Sequence, residues 1–221
     1  MRILLAGPGG RVNKLLHNEV LAKGWEAFFG YKGCSANEYI ALIKEHQIDC
    51  IVDFSNKSFW PILNNIIIQT KIPLISGTTG LDDVKSQLEA WGREIPVCYA
   101  ANFSLGMQLV NNFLRHCPKI EYNNVLIEEA HHALKKDRPS GTALTLARLL
   151  NVDSTLIDVR REGSIPGMHR VTLCFDDQEV ILEHRVINRA VYAKGALSIV
   201  PFLIQKAPGC YEFNEFFDRG I

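Results

Sequence analysis

Short apolar segments alternate with amphipathic stretches from the N-terminus to Asn102. The apolar segments are typical of buried strands, and the stretches between them place apolar residues at helical spacing. The predicted strands are 2–6, 25–30, 50–54, 73–76 and 95–101. Four helices are predicted between them: one begins after Gly10, one at residue 36, one after a cap at Ser58, and one at residues 82–83. This alternation favours a parallel sheet with helices on both faces, whose ligands bind at the carboxyl ends of the strands.

The pattern changes after Asn102. Helical spacing is found at 104–116 and 143–150, and strand-like segments lie at 125–130, 171–175 and 179–187. Because strands cluster in this half of the chain, we expect an antiparallel sheet and a second domain of the α+β class. The apolar tail from Gly195 is expected to be helical, with a kink at Pro201.

The composition is that of an average globular protein, and it narrows the possible partners. Hydrophobic residues make up 47% and charged residues 22% of the 221 residues, while Lys+Arg and Asp+Glu both number 24. Zero net charge excludes the basic field that drives non-specific nucleic-acid binding, and it is compatible with a homo-oligomer. No apolar run is long enough to cross a bilayer, so no membrane partner is expected. The six cysteines form no CxxC pair, which favours free thiols in a reducing cytoplasm over disulfides or a metal site.

Two glycine-rich turns follow predicted strands at the ligand-binding edge of the sheet. The first, Gly7-Pro8-Gly9-Gly10-Arg11-Val12, leads into a helix, and the second is 77–80. Glycines let the backbone approach a pyrophosphate, and a helix N-terminus offers N–H donors to it. Asn13 stands where the GxGxxG motif has its third glycine, so an ordinary strand-to-helix turn is the alternative to dinucleotide binding.

The end of the second strand should decide the kind of dinucleotide, because an acidic residue there binds the ribose 2′-hydroxyl of NAD. The chain has Gly30-Tyr31-Lys32-Gly33 at this place and no acid. Lys32 can meet a 2′-phosphate and so favours NADP over NAD. The alternative is that Lys32 is an ordinary surface lysine on a loop. On the same edge, Asn102 within 100–104 can hydrogen-bond a carboxamide or simply begin a capped helix.

The segment 128–142 carries the densest chemistry of the chain. His131 and His132 end a predicted strand, and Lys135 follows, so a group that titrates near neutrality stands close to a proton donor. Ser140-Gly141-Thr142 begins a helix, where N–H groups and hydroxyls can hold a carboxylate or phosphate. No cysteine or further histidine follows at zinc-ligand spacing, so no metal is predicted, and a polar loop with an ordinary helix cap is the alternative. Two roles are open for four arginines, namely a position on a solvated face or contact with an anionic substrate. They are Arg160, Arg161, Arg185 and Arg189.

Taken together, these motifs resemble the 4-hydroxy-tetrahydrodipicolinate reductase family, also called dihydrodipicolinate reductase, of diaminopimelate and lysine biosynthesis. The resemblance runs almost end to end, and its most specific part is Glu129–Ala143. The other matching segments are Gly7–Arg11, Asp53–Ser55, Gly77–Gly80, Ala101–Ser104, Arg161–Gly163 and Ala193–Ala196.

The resemblance implies a Rossmann-type dinucleotide-binding domain at 1–103 and 193–221. It also implies a smaller α+β domain at 104–192 that binds substrate and whose sheet builds a homotetramer. His131 is then the catalytic acid/base and Lys135 the proton donor. Residues that bind substrate carboxylates would be His132, Ser140, Gly141 and Thr142. Residues that bind the cofactor would be Gly7, Pro8, Gly9, Gly10, Arg11, Val12, Lys32, Ser55, Gly77, Thr78, Thr79, Ala100, Ala101, Asn102 and Phe103.

The implied reaction is reduction of a cyclic dicarboxylate imine-like substrate by NADPH or NADH, with loss of water. Two departures from the family pattern stand out: the short segment 161–189, which implies a trimmed substrate-domain sheet, and the missing acid after the second strand. Two other functions fit the same residues, namely a non-catalytic module that senses NAD(P) or serves assembly, and a reductase of a different small carboxylate.

Overall fold

The computed structural model describes residues 1–7, 9–31, 33–79, 84–116 and 121–219, without the side chains of 11 and 217–219. Pro8, Lys32, Asp82, Asp83 and Cys117 therefore lie outside the described residues. The chain divides into two compact units, one formed by Met1–Phe103 with Tyr192–Ile221 and the other by Ser104–Val191.

The first unit is built on a parallel sheet, as the alternating pattern predicts. Its strands are β1 (Arg2–Ala6), β2 (Glu26–Phe29), β3 (Cys50–Asp53), β4 (Leu74–Ser76), β5 (Pro96–Tyr99) and β10 (Gly209–Glu212). Their order is β10-β5-β4-β3-β1-β2, and every pair is parallel. The chain runs from β1 to β2 on one side and reaches β3 on the other. The crevice outside β1 and β3 is therefore the switch point at which such sheets bind their ligands.

Apolar residues explain why these strands form the core of the unit. Ile3, Leu4 and Leu5 of β1 have no exposed surface, and all of β3 is buried. Continuous burial of this kind is expected of parallel strands that have helices on both faces. The helices are α1 (Arg11–Ala22), α2 (Ala36–His46), α3 (Trp60–Thr70), α4 (Val84–Gly92) and α7 (Ala190–Leu203), the last of which crosses the boundary of the units.

The start of α3 corrects one prediction. Asn56, not Ser58, is the cap, because its Oδ1 accepts a hydrogen bond from the Ser58 N–H at 3.0 Å and opens a short 3₁₀ turn. An asparagine side chain readily closes such a turn two residues ahead of itself. The α-helix then begins at Trp60, with Pro61 in its first turn.

The C-terminal tail is only partly helical. Pro201 lies in the last turn of α7, which ends at Leu203, and the tail then forms β10 beside β5. This strand has four residues at the edge of the sheet and alternates half-buried with exposed positions. Such a short edge strand carries little of the continuous apolar signal that identified its neighbours.

The second unit combines two helices with a four-stranded sheet. Its elements are α5 (Leu105–His116), β6 (Asn124–His131), α6 (Gly141–Leu150), β7 (Asp158–Arg161), β8 (Met168–Cys174) and β9 (Glu179–Arg185). The order is β7-β6-β8-β9. The pairs β6–β8 and β8–β9 are antiparallel, but β6 and β7 are parallel, so the expected antiparallel sheet is in fact mixed. The parallel pair arises because α6 supplies the crossover that parallel strands need.

The helices α5 and α6 pack on one face of this sheet. Ile127 and Val171 point to that face and join Met107 and Leu146 of the helices in a buried cluster. Alternate strand residues face opposite sides, so Leu126 and Ile181 point to the other face, where they are 48% and 55% exposed. In the part of the chain that the structure describes, no helix is long and apolar enough to cross a membrane.

Candidate active site

The glycine-rich turn after β1 lies against the end of β3. Gly7 and Gly9 have φ values of +81° and +94°, a region that glycine adopts without strain. A methyl group on Gly7 would come within 2.5 Å of the Ser55 Cβ, so the close approach also requires glycine there. Gly10 precedes the first turn of α1, which continues through Val12.

Asn13 holds this turn in place of the missing third glycine. Its Nδ2 donates a hydrogen bond to the Ala6 carbonyl at 2.8 Å and another to the Gly7 carbonyl. The side chain is 2% exposed. The departure from GxGxxG therefore exchanges a small residue for a side chain that fixes the backbone of the turn.

A buried carboxylate that the sequence analysis did not single out as a site residue organises the same edge. Asp53 ends β3 with no exposed surface. Its Oδ1 accepts from the Ser55 N–H at 3.0 Å, and its Oδ2 accepts from the hydroxyls of Ser76 and Thr78 at 2.8 and 2.9 Å. Trp60 Nε1 donates to the same Oδ2 at 3.3 Å. A signal was present, because an acid at the end of a fully apolar strand needs donors nearby.

The predicted cofactor residues after β3, β4 and β5 are therefore close to one another. Gly77 N–H donates to the Asp53 carbonyl at 2.8 Å, and Ala100 N–H donates to the Ser76 carbonyl at 3.2 Å. Phe103 is buried, with its ring 5.7 Å from that of Phe54. Thr79 is exposed, and Ala101 and Asn102 are half-buried at the same edge.

In the second unit, His131 ends β6 and is 6% exposed. Its Nδ1 lies 3.2 Å from Glu129 Oε2, and its ring lies 5.1 Å from that of His169. Lys135, in the loop that follows, pairs through Nζ with the Asp137 carboxylate at 2.8 Å. His132 is half-buried next to His131.

Glu129 is the centre of this cluster and has no exposed surface. Its Oε1 accepts from Ser140 N–H at 2.9 Å and from the Arg161 guanidinium at 2.7 Å. His169 Nε2 lies 3.6 Å from its Oε2. Burial alone would raise the pKa of Glu129, but the donors around it outweigh burial and hold that pKa well below its ordinary value. Burial lowers the pKa of His169, so the carboxylate is charged and His169 is neutral at pH 7.

The start of α6 is joined to the same cluster. Ser140 caps the helix, with its Oγ accepting from Ala143 N–H at 3.2 Å and lying 3.1 Å from His169 Nε2. Gly141 and Thr142 form the first turn that follows. Predicted substrate residues and predicted catalytic residues are thus joined through Glu129 and His169.

His169 was not identified from the sequence, because it lies far from His131 along the chain. The antiparallel pairing of β6 with β8 brings it opposite Glu129. Possible ligand atoms of Glu129, His131 and His169 lie within 4.8 Å of one another, a spacing that a metal ion could bridge. The Arg161 guanidinium already binds this carboxylate, and its positive charge opposes a cation there.

The four arginines left open by the sequence separate into different environments. Arg161 is buried against Glu129, while Arg160 pairs with Glu128 at 2.6 Å and Arg185 pairs with Glu183 at 2.7 Å. Arg189 is half-buried beyond β9.

Comparisons with known proteins cover nearly the whole chain. The family model described as "Dihydrodipicolinate reductase, N-terminus" matches residues 1–103, and the one described as "Dihydrodipicolinate reductase, C-terminus" matches residues 104–217. The 4-hydroxy-tetrahydrodipicolinate reductase of Helicobacter acinonychis (strain Sheeba) is 30% identical, with 99% of this chain and 100% of the relative covered. That of Bdellovibrio bacteriovorus is 33% identical, with 78% of this chain and 77% of the relative covered.

Solved structures share the fold at low sequence identity. The dipicolinate-bound dihydrodipicolinate reductase from Paenisporosarcina sp. TG-14 has a TM-score of 0.72 and 19% identity, with 96% of this chain and 97% of that chain covered. The amine dehydrogenase from Mycobacterium smegmatis has a TM-score of 0.60 and 9% identity, with 97% and 95% covered.

Proposed function

The chain belongs to the dihydrodipicolinate reductase family, and on that premise we propose which of its residues carry the reaction. Its activity is that of an oxidoreductase that reduces 4-hydroxy-tetrahydrodipicolinate to tetrahydrodipicolinate in diaminopimelate and lysine biosynthesis. The substrate is a small dicarboxylate, and the cofactor is a nicotinamide dinucleotide.

The edge of the first sheet fits a dinucleotide. Gly7 and Gly9 adopt positive φ, and among the described residues no atom beyond the chain neighbours lies within 4 Å of the place where a Gly9 Cβ would stand, so the turn leaves room for a ligand. We propose that 1–103 and 193–221 form the cofactor domain and that 104–192 forms the substrate and oligomerisation domain. The proposed cofactor residues are Gly7, Pro8, Gly9, Gly10, Arg11, Val12, Lys32, Ser55, Gly77, Thr78, Thr79, Ala100, Ala101, Asn102 and Phe103. When bound, the nicotinamide supplies the hydride.

The protein's own contribution is to place protons and to bind charge. His131 acts as the acid/base, and Lys135 delivers a proton to the ring anion that develops as the substrate is reduced. The observation that carries this proposal is the position of His131 beside Glu129, with Lys135 on the loop that leads into α6. Lys135 is held by Asp137, which orients its ammonium group.

The substrate carboxylates need cationic groups and N–H donors. We propose that His132 and the first turn of α6, with Gly141 and Thr142, supply them. Ser140 gives its N–H to Glu129 and its Oγ to the capping bond, so it acts by shaping this turn. The helix dipole adds to the attraction for an anion at this end.

The test follows NADPH oxidation with substrate generated in solution. His131→Ala and Lys135→Ala should each lower kcat by about 100-fold or more, which is the usual loss for an acid–base group. The KM for NADPH should stay unchanged, because neither side chain is proposed to bind the cofactor. Lys136→Ala, an exposed neighbour of the same charge, is the matched control. Full turnover in both alanine variants would contradict the assignment.

We further propose that NADPH is preferred over NADH, because Lys32 can meet the 2′-phosphate and no acid stands after the second strand. Parallel assays with NADH measure the preference as a ratio of kcat/KM.

A homotetramer is proposed through the face of the second sheet that carries Leu126 and Ile181, and sedimentation equilibrium measures its stoichiometry. A cytoplasmic location suits the free thiols of Cys34, Cys50, Cys98, Cys174 and Cys210.

A further inference from the structure

Glu129 is a buried carboxylate to which the proposed mechanism gives no task. Arg161 and the Ser140 N–H hold one of its oxygens, while the other faces His131 at 3.2 Å. A carboxylate with no exposed surface is costly to bury, and a buried ion pair replaced as a whole by apolar side chains often leaves a fold as stable as before. Its position two residues before His131 on the same strand places both side chains on one face of β6.

We propose that Glu129 is a positioning residue, which fixes the ring of His131 with one carboxylate oxygen and the start of α6 with the other. The proposal rests on the assigned role of His131 in the proposed function. Through these two contacts, Glu129 alone would set the distance between His131 and the first turn of α6, which is proposed to bind the substrate carboxylates.

One oxygen of Glu129 acts on the tautomer of His131. A carboxylate beside Nδ1 favours the proton on that nitrogen, which leaves Nε2 with its lone pair for exchange with the substrate. Beside the His131 ring lie Glu129 on β6 and His169 on β8, and Arg161 on β7 binds Glu129. Of these, only Glu129 offers a negative charge to the ring.

The other oxygen of Glu129 acts on the start of α6. Ser140 N–H donates to Glu129 at 2.9 Å, and the same residue caps α6 through its hydroxyl. Arg161 donates to Glu129 and also to the Asp137 carbonyl at 2.6 Å, which fixes the loop that carries Lys135. The guanidinium neutralises the buried charge, so the carboxylate can remain ionised while it holds both elements.

The test begins with Glu129→Gln, which keeps the size of the side chain and removes its charge. We expect kcat to fall at least about tenfold, the usual effect of losing a group that orients a reacting ligand or base. The Kd of dipicolinate should rise severalfold, because the start of α6 loses its anchor, whereas the KM for NADPH should stay within about twofold. Glu128→Gln is the matched control, since it removes the neighbouring carboxylate from the opposite face of the strand, where it pairs with Arg160 and Arg170.

A spectroscopic readout separates positioning from mere stability. In protein labelled with ¹⁵N-histidine, we expect the wild-type His131 ring to show the Nδ1–H tautomer and the Glu129→Gln ring to lose that preference. The His131→Ala variant assigns the signal. Because this measurement needs no turnover, it tests the inference even if the reductase assay fails.

The double variant Glu129→Gln with Arg161→Met addresses folding. Removal of both charges should restore the stability that the single variant loses, since no unpaired guanidinium remains buried. We expect the His131 tautomer to stay as in the single variant and kcat to recover no part of its loss, since Arg161→Met also releases the Asp137 carbonyl. Recovery of kcat together with stability, or an unchanged His131 tautomer in Glu129→Gln, would overturn the inference.

Discussion

Two fully buried carboxylates lie at or near the ends of strands, next to the residues proposed for function. Asp53 ends β3 in the first unit, and Glu129 stands near the end of β6 in the second. Each gathers donors from elements that lie apart in sequence, because a buried charge is tolerated only where hydrogen bonds replace its water. In both units the geometry of the proposed site therefore depends on an acid that is not itself proposed to touch a ligand.

The sequence identified many of the residues proposed to bind ligands but not the partners that hold them. His131, Lys135 and the glycines of the first turn are recognisable because their chemistry lies in one continuous stretch. His169 reaches Glu129 only through strand pairing, and Trp60 reaches Asp53 from a helix that follows a separate loop. Contacts of this kind depend on register, which no local pattern encodes.

Asp53→Asn should weaken both the first unit and its hold on the cofactor. Whichever way the amide turns, its NH₂ group faces either the Trp60 Nε1–H or the Ser55 N–H, and neither donor can rotate away. We expect a loss of about 1–3 kcal/mol of stability, the cost of an unpaired buried donor. The KM for NADPH should rise while that for the substrate stays unchanged.

Asp49→Asn is the comparison for this substitution, because Asp49 precedes the same strand but is exposed. Urea unfolding and initial rates at varied NADPH measure the two effects. An Asp53→Asn protein with the stability and KM of the Asp49→Asn protein would show that the buried charge has no organising role.

Among the secondary-structure elements, the predictions were most direct where burial was continuous, and the strands that were missed are β7 and β10. Four strands of the first sheet, β1, β3, β4 and β5, are mostly buried and follow from apolar runs, whereas β2 was predicted although none of its residues is buried. β7 was missed because three of its four residues, Asp158, Arg160 and Arg161, are charged, and one of those charges is buried against Glu129. Since β7 is the strand that pairs in parallel with β6, the same omission produced the antiparallel expectation for the second sheet.

Gly195→Ala should show how closely α7 approaches the end of the proposed cofactor edge. A methyl group there would lie 1.7 Å from the Phe103 carbonyl oxygen, a backbone atom that cannot move alone. At the upper end of its usual range, overpacking of this kind costs about 3 kcal/mol of folding stability. We therefore expect a fall in Tm of about 10 °C. In Gly209→Ala the nearest atoms to the added methyl belong to the Tyr211 side chain, at 3.2 Å, and that side chain can yield. Equal melting temperatures in the two variants would contradict this description of the contact.

At the scale of the whole molecule, the neutral net charge conceals an uneven distribution of the groups whose pKa the fold lowers. Glu129, His169 and His184 all lie in the second unit, and burial or hydrogen bonding shifts the pKa of each downward. The sequence indicated a second domain after Asn102, but it could not show that the acid-sensitive groups would collect there, because burial depends on the packing of β8 and β9. The three tryptophans, Trp25, Trp60 and Trp91, all lie in the first unit.

Acid should therefore unfold the second unit before the first. A group whose pKa is lower in the folded chain than in the unfolded chain binds its proton more readily after unfolding, so stability falls as the pH falls. For His169 and His184 the loss begins below their ordinary pKa of 6.5, and for Glu129 it begins below 4.5. On acidification, far-UV ellipticity should decline at a higher pH than the pH at which tryptophan emission shifts, because emission reports the first unit alone.

His116→Gln, which removes an exposed histidine of the second unit, should move neither midpoint. Coincident transitions, or a change in emission that comes first, would show that these buried groups do not set the acid stability.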